Sequence, residues 1–137
     1  QAEFFRPCVD VLDSCFDGDL LEIMQAVADG RLSEVKIGTK PGAAACVIIA
    51  SGGYPVSYQK GFEIHGLDAE GQAPGVTVYH AGTTLADGVY RNNGGRVLGV
   101  TAVGKSLRDA LSTAYQAVGQ IGFVGSFYRR DIGQKVL

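Results

Sequence analysis

Val76-Thr77-Val78-Tyr79-His80, Thr83-Thr84-Leu85, Val89-Tyr90-Arg91 and Arg96-Val97-Leu98-Gly99-Val100-Thr101-Ala102-Val103 are four short runs rich in β-branched and aromatic residues. Such residues fit a pleated, half-buried surface, and the segments between these runs carry turn chemistry. Asp87-Gly88 joins the second run to the third. That dipeptide tolerates positive φ at both central positions and predicts a type I′ hairpin. Asn92-Asn93-Gly94-Gly95 makes a second turn into the longest run. Successive strands joined by tight turns pair antiparallel, so this stretch predicts a small antiparallel sheet.

Upstream, Ala43–Ala50 is an uninterrupted apolar run of strand length, consistent with a strand buried on both faces. Ser51-Gly52-Gly53-Tyr54-Pro55 follows as a turn, and Phe62–His65 reads as a further short strand. Downstream, Ser106 and Asp109 have capping-box spacing. The helix they open places Leu107, Ala110, Leu111, Ala114, Val118 and Ile121 at helical intervals. Phe123, Phe127 and Tyr128 belong to a last strand or loop that closes over the sheet. Near the N-terminus, Asp17-Gly18-Asp19 offers a cap to a helix carrying Leu20, Ile23, Met24 and Val27, with Gly30 at the C′ position. Pro7 opens a helical turn with Val9, Leu12 and Phe16 on one side. Ser33–Lys40 reads as a connector and holds the one boundary the pattern allows, near residues 34–40.

The chain has 137 residues, enough for one domain with a core. Hydrophobic residues make up 46% and charged residues 19%, which excludes a disordered chain. A net charge of −2 gives no reason to expect nucleic acid or an anionic membrane as partner. No run approaches the roughly 18 apolar residues of a membrane span. The 20 glycines are about twice the ordinary share and imply many tight turns. Cys8, Cys15 and Cys46 are too few for a disulfide scaffold. On a helix Cys8 and Cys15 would lie about 10 Å apart, too far to bridge. Reduced thiols in a reducing compartment are expected. With only His65 and His80, and no CxxC, a zinc site has no support.

Arg96 follows two glycines. A guanidinium fork there suits a carboxylate or phosphate ligand, and it suits equally a neighbouring acid of the protein itself. His80-Ala81-Gly82-Thr83 ends a strand in a small-residue turn. Histidine and hydroxyl beside open amides can hold a small anion or move a proton, or can simply satisfy local backbone groups. Tyr54-Pro55 is a ligand-facing loop or ordinary turn chemistry. Tyr128-Arg129-Arg130-Asp131 presents cations to a partner or forms a surface ion-pair cluster. No P-loop is present, and the glycine pairs do not match GxGxxG between strand and helix.

Pro41-Gly42-Ala43-Ala44, Ala50-Ser51-Gly52-Gly53-Tyr54-Pro55, Tyr58-Gln59-Lys60-Gly61, His80-Ala81-Gly82-Thr83, Gly94-Gly95-Arg96-Val97-Leu98-Gly99-Val100-Thr101-Ala102 and Tyr128-Arg129-Arg130-Asp131-Ile132-Gly133 occur in one order along the chain. Together they resemble the C-terminal domain of phosphoribosylamine–glycine ligase, from about Asp19 to Gly133. The resemblance implies an α+β fold. It is a small antiparallel sheet or half-barrel packed by helices, of the kind also found at the end of biotin carboxylase. It divides the chain into residues 1–34, a helical remnant of an ATP-grasp tail, and residues 35–137, the sheet-and-helix domain. In the family this domain closes the cleft where phosphoribosylamine and glycine meet ATP. His80, Gly82, Thr83, Gly95 and Arg96 are the ligand-binding candidates it implies, with Tyr54 a weaker match. No catalytic or metal residue is implied.

One departure stands out. The family shows Arg-Phe-Gly-Asp-Pro-Glu and then Thr-Gln ahead of the first helix. Here the aligned residues are Glu3-Phe4-Phe5-Arg6-Pro7-Cys8 and Val9-Asp10. A magnesium–nucleotide site needs oxygen ligands, and Arg6 and Cys8 supply none. The chain also begins at Gln1 without Met, as a processed protein or a segment of a longer one does. The resulting expectation is a non-catalytic, ligase-derived domain acting as an accessory subunit of a larger assembly. The alternative is the C-terminal part of an active ligase. No cofactor is expected for the chain alone, with Mg-ATP entering only when the missing domain is supplied. Other protein subunits are the expected partners, without nucleic acid and without a transmembrane segment. The expected location is an organelle interior, plastid stroma or mitochondrial matrix, or the cytoplasm, and not the secretory route. Arg96→Ala is expected to cost little stability, about 0–1 kcal/mol, and Gly95→Val more if Gly95 holds positive φ.

Overall fold

The computed structural model describes residue 11 and residues 14–136. The expectations placed on Arg6, Pro7, Cys8, Val9 and Leu12 lie outside the described residues.

Strand β3 (Ala43–Ala50) and strand β4 (Thr77–His80) flank β7 (Arg96–Gly104) in a three-stranded antiparallel sheet of order β3-β7-β4. Between β4 and β7 the chain makes a separate two-stranded ribbon of β5 (Thr83–Ala86) and β6 (Val89–Asn92). Its turn has Asp87 at φ 53° and Gly88 at φ 75°, the two positive values that a type I′ hairpin needs. Among the described residues the sheets are open and form no closed barrel.

The apolar run of β3 is buried on both faces at its centre, where Ala45, Cys46 and Val47 are all buried. Ala45, Val47 and Ile49 stand opposite Ala102, Val100 and Leu98 of β7. Helix α2 (Leu107–Val118) lies over them and buries Ala110, Leu111, Ala114 and Val118. Small alanines at the crossing let the helix backbone come close, and Gly104 continues this: a Cβ there would sit 2.6 Å from the Ala110 nitrogen. Ser106 caps α2 as expected, its hydroxyl accepting from the Asp109 amide at 3.2 Å and donating to the Asp109 carboxylate at 2.8 Å. Ile121 and Phe123 complete the core, while Phe127 bridges to Ala50 at the sheet edge.

Phe62–His65 does not form a strand ladder. Glu63 pairs with Arg91 and His65 with Gly122, so the segment changes partner after two residues and no ladder extends.

At the N-terminal end, β1 (Phe16–Asp17) pairs with β2 (Gly38–Thr39). Phe16 is therefore extended and not part of a helical turn, because the connector supplies it with a pairing partner. The rest of the connector holds a 3₁₀ turn, Leu32–Glu34. Helix α1 (Leu20–Ala28) starts where expected, with Asp19 accepting from the Leu21 and Glu22 amides at 2.8 and 3.3 Å. It ends ahead of Gly30, at φ 70°. Of its residues only Ala26 is buried. Cys46 is buried and Cys15 half-buried, and Cys8 lies outside the described residues. Among the described residues no helix is long and apolar enough to cross a membrane.

Candidate functional site

Three turns meet at one end of the sheet, and glycine at each lets backbone touch backbone. The β4–β5 turn crosses the β6–β7 turn at Gly82 and Gly94. A Cβ on Gly82 would lie 2.6 Å from the Arg96 carbonyl oxygen and 2.9 Å from the Gly94 Cα. A Cβ on Gly94 would reciprocally lie 3.0 Å from the Gly82 Cα. Four hydrogen bonds hold the crossing. The Ala81 and Gly82 amides donate to the Val97 carbonyl at 3.0 and 3.1 Å, Asn93 N–H donates to the Gly82 carbonyl at 2.8 Å, and Ser51 N–H donates to the Gly95 carbonyl at 2.7 Å. The last of these brings in the third turn, Ser51–Pro55.

Gly95 does not meet the positive-φ condition: it is absent from the positive-φ residues. Its missing side chain makes room for the Tyr54 ring, which a Cβ would strike at Cδ2 and Cε2. Tyr54 thus packs over the glycine turn, ahead of a cis Tyr54–Pro55 bond and 6.2 Å, ring centre to ring centre, from Tyr58. Arg96 begins β7 beside this contact, opposite Ala50, where the β3–β7 register shifts by a bulge.

His80 is engaged at both ring nitrogens. Nε2 lies 2.8 Å from the Gly71 carbonyl oxygen and Nδ1 lies 2.9 Å from the Thr83 hydroxyl. A carbonyl only accepts, so Nε2 donates to Gly71, and in the neutral ring Nδ1 then accepts from Thr83. The ring also lies 4.9 Å from that of Tyr90. A Cβ on Gly71 would meet His80 and Tyr90 at 2.6 and 2.8 Å, so this loop too comes close by way of a glycine. In this geometry His80 ties loop 68–75 to the strand end. Both ring nitrogens are thus engaged within the protein.

The structure therefore brings His80, Gly82, Thr83, Gly95 and Arg96 to one end of the sheet, and Tyr54 with them. It adds two residues that the sequence did not single out. Asn92, 0% exposed, ends β6 beneath the junction. Its Nδ2 donates to Ser51 Oγ at 2.9 Å and to the Gln59 carbonyl at 2.8 Å, and its Oδ1 accepts from Phe62 N–H at 2.8 Å. Ser51, 1% exposed, passes the connection on by donating its hydroxyl to the Gly94 carbonyl at 2.7 Å. An asparagine before a glycine pair looks like turn chemistry, so only its burial distinguishes it. Gln72 plays a similar part at the sheet edge, its amide pairing both backbone groups of Val78 at 2.9 Å.

The Tyr128–Asp131 run is an ion-pair cluster. Arg129 grips Asp131 with two hydrogen bonds of 2.9 and 2.7 Å, which hold the Asp131 carboxyl below its usual range. The Arg130 guanidinium lies 5.9 Å from the Tyr128 ring centre. Tyr115 anchors the segment by donating to the Arg129 carbonyl at 2.8 Å and accepting from Ile132 N–H at 3.1 Å. Among the described residues no three His, Cys, Asp or Glu side chains converge as metal ligands would.

Residues 44–135 match the family model of the phosphoribosylglycinamide synthetase C domain. A phosphoribosylamine–glycine ligase of Synechocystis is 60% identical over 119 residues, which cover 86% of this chain and 28% of that protein. The chloroplastic phosphoribosylamine–glycine ligase of Arabidopsis thaliana is 46% identical over 139 residues, covering 100% of this chain and 26% of the relative. Among solved structures, the phosphoribosylamine–glycine ligase of Thermotoga maritima superposes with a TM-score of 0.63 at 33% identity, covering 80% of this chain and 27% of that one. The chain thus spans about a quarter of the length of these relatives. The glycine junction lies inside the matched region, and the chain belongs to the phosphoribosylglycinamide synthetase C-domain family.

Proposed function

We propose that this chain acts as the C-terminal domain of a phosphoribosylamine–glycine ligase, its glycine junction forming one wall of the cleft in which phosphoribosylamine and glycine are joined. The observation that supports this most is the 60% identity to a ligase across most of the chain. His80, Gly82, Thr83, Gly95 and Arg96 are the proposed cleft-facing residues, and Tyr54 and Asn92 set the position of the glycine turn. The rest of the ligase is the proposed partner, with residues 35–137 as the closing domain. An organelle interior or the cytoplasm is the proposed location, and the chloroplastic name of the Arabidopsis relative supports plastid stroma.

Grafting this chain in place of the matching 26% of the Arabidopsis ligase tests the reading. The chimera is expected to form glycinamide ribonucleotide from phosphoribosylamine, glycine and Mg-ATP at a rate within about tenfold of the parent. A second reading, a non-catalytic accessory subunit, is favoured by Arg6 and Cys8, which stand where the family pattern has Asp and Glu. A folded but inactive chimera, rescued by Arg6→Asp with Cys8→Glu, would establish that second reading.

The 137-residue chain alone is proposed to bind no Mg-ATP, because its sequence has no phosphate-cradling glycine loop and, among the described residues, no three acidic or other metal-ligating side chains cluster. Titration calorimetry with Mg-ATP is expected to give no binding heat at millimolar nucleotide. Micromolar affinity, abolished by Arg96→Ala, would overturn this proposal.

A further inference from the structure

Gly71 lies in a loop that is fastened from several sides. The Asp68 carboxylate accepts from the Glu70 and Gln72 amides at 3.1 and 2.7 Å, and Asp68 N–H donates to the Gln72 carbonyl at 2.9 Å. The Gln72 side chain then ties the loop to β4 through both backbone groups of Val78. Lacking a Cβ, Gly71 sits close against the His80 and Tyr90 rings. Its carbonyl oxygen is thereby held 2.8 Å from His80 Nε2.

This contact decides what the next group can offer. A carbonyl oxygen has no hydrogen to give, so Nε2 must carry one, and the neutral ring then leaves Nδ1 as a bare lone pair. The Thr83 hydroxyl, 2.9 Å from Nδ1, has a single hydrogen and spends it there. What Thr83 keeps is the acceptor side of its oxygen. Thr83 is half-buried, and its bond to His80 lies at the surface. Toward a ligand the turn therefore offers lone pairs and no hydrogen. A phosphate or carboxylate oxygen would meet like polarity there, whereas a hydroxyl or amino group would meet a partner.

We infer that Thr83 is a specificity-determining residue of the cleft, its Oγ1 accepting a hydrogen bond from an O–H or N–H group of a substrate. The inference rests on the functional reading above and narrows it. Phosphoribosylamine carries ribose hydroxyls and an amine besides its phosphate, and glycine carries an amine besides its carboxylate. Thr83 takes the donor part of one of them, and the anionic part is held elsewhere. His80 is a positioning residue, because it acts through Thr83 by keeping the threonine hydrogen turned inward.

Long-range proton–nitrogen NMR of the 137-residue chain at about pH 8, where an ordinary imidazole is neutral, reads the tautomer directly. The signals lost in His80→Gln are those of His80. Nε2 is expected to be protonated and Nδ1 bare, and this arm needs no Thr83 variant to fold. A proton on Nδ1 of the neutral ring overturns the inference. The Arabidopsis chimera supplies the second arm. Thr83→Val is expected to raise the KM of one substrate, phosphoribosylamine or glycine, about three- to tenfold, the usual worth of one neutral hydrogen bond. Turnover and the other KM should stay within about twofold, the mark of lost uniform binding. Thr83→Ser, which keeps the hydroxyl, should restore the parent KM. Which KM rises tells whether the donor belongs to the sugar phosphate or to the amino acid. Two unchanged KM values in Thr83→Val overturn the inference. A loss spread evenly over kcat and both KM values marks a structural role and also overturns it. An inactive parent chimera sinks the functional reading and the assignment to a ligase substrate with it, while the tautomer of the 137-residue chain still decides the polarity that Thr83 offers.

Discussion

Gly82→Val is expected to lower the melting temperature of the chain by more than about 10 °C, corresponding to roughly 3–5 kcal/mol. The added Cβ would stand 2.6 Å from the Arg96 carbonyl oxygen and 2.9 Å from the Gly94 Cα. Both obstacles are backbone, and both are fixed by the hydrogen bonds of the crossing, so neither can turn aside as a flexible side chain would. Valine adds two methyl groups to the same clash. The turn would have to separate, breaking the bonds from Ala81, Gly82 and Asn93. Gly88→Ala provides the contrast. A Cβ there meets nothing within 4 Å, and only the φ of 75° opposes it. Its cost is expected to stay near 1 kcal/mol, about the penalty of an L-residue in the left-handed region. Thermal unfolding of the two variants side by side checks the argument. Equal losses would show that turn conformation, and not the close crossing of backbones, makes Gly82 a glycine.

That contrast also marks how far the sequence could be read. Gly88 was legible because Asp-Gly between two short strand runs dictates its own local conformation, and the two positive φ values followed. Both helices were legible for the same reason: Asp19 and Ser106 cap, and apolar spacing tracks the helical period, all within a few residues. Gly82, Gly94 and Gly95 were legible as turn glycines but not as contacts. What each meets comes from another turn, and nothing local to Gly95 specifies that the ring of Tyr54 will lie against it. Phe62–His65 has strand composition, but its partners, Arg91 and Gly122, lie on two different elements. The candidate site was thus visible as a set of motifs, while the reason those motifs adjoin was visible only in three dimensions.

Asn92 carries the second large effect. Its amide is buried, and its three partners fix its orientation, since the Phe62 amide requires an acceptor and the Gln59 carbonyl requires a donor. Ser51 Oγ then accepts the second Nδ2 hydrogen while donating its own to Gly94. Leucine has the same branched arrangement of heavy atoms but carries bulkier methyl groups, and it offers none of these bonds. Asn92→Leu would take the partner from the half-buried Phe62 amide and from the Gln59 carbonyl, at about 1–3 kcal/mol for each group left unpaired away from water, and would deprive the buried Ser51 hydroxyl of its donor. The expected loss is about 3–5 kcal/mol, read as a fall in the urea midpoint at unchanged slope. Asn92→Asp separates hydrogen bonding from shape. One carboxyl oxygen keeps the Phe62 bond, but the other must be protonated to donate to the Gln59 carbonyl. Burial among acceptors raises the folded-state pKa of this carboxyl above the unfolded value of about 3.9. The protonated form therefore stabilises the fold below that value, and stability is lost as pH rises above it, the reverse of an ion-paired aspartate. The Asp variant should approach the parent near pH 4 and resemble the Leu variant at pH 8. An Asp variant as stable at pH 8 as at pH 4, or a Leu variant within about 1 kcal/mol of the parent, would mean that the junction stands without the asparagine amide.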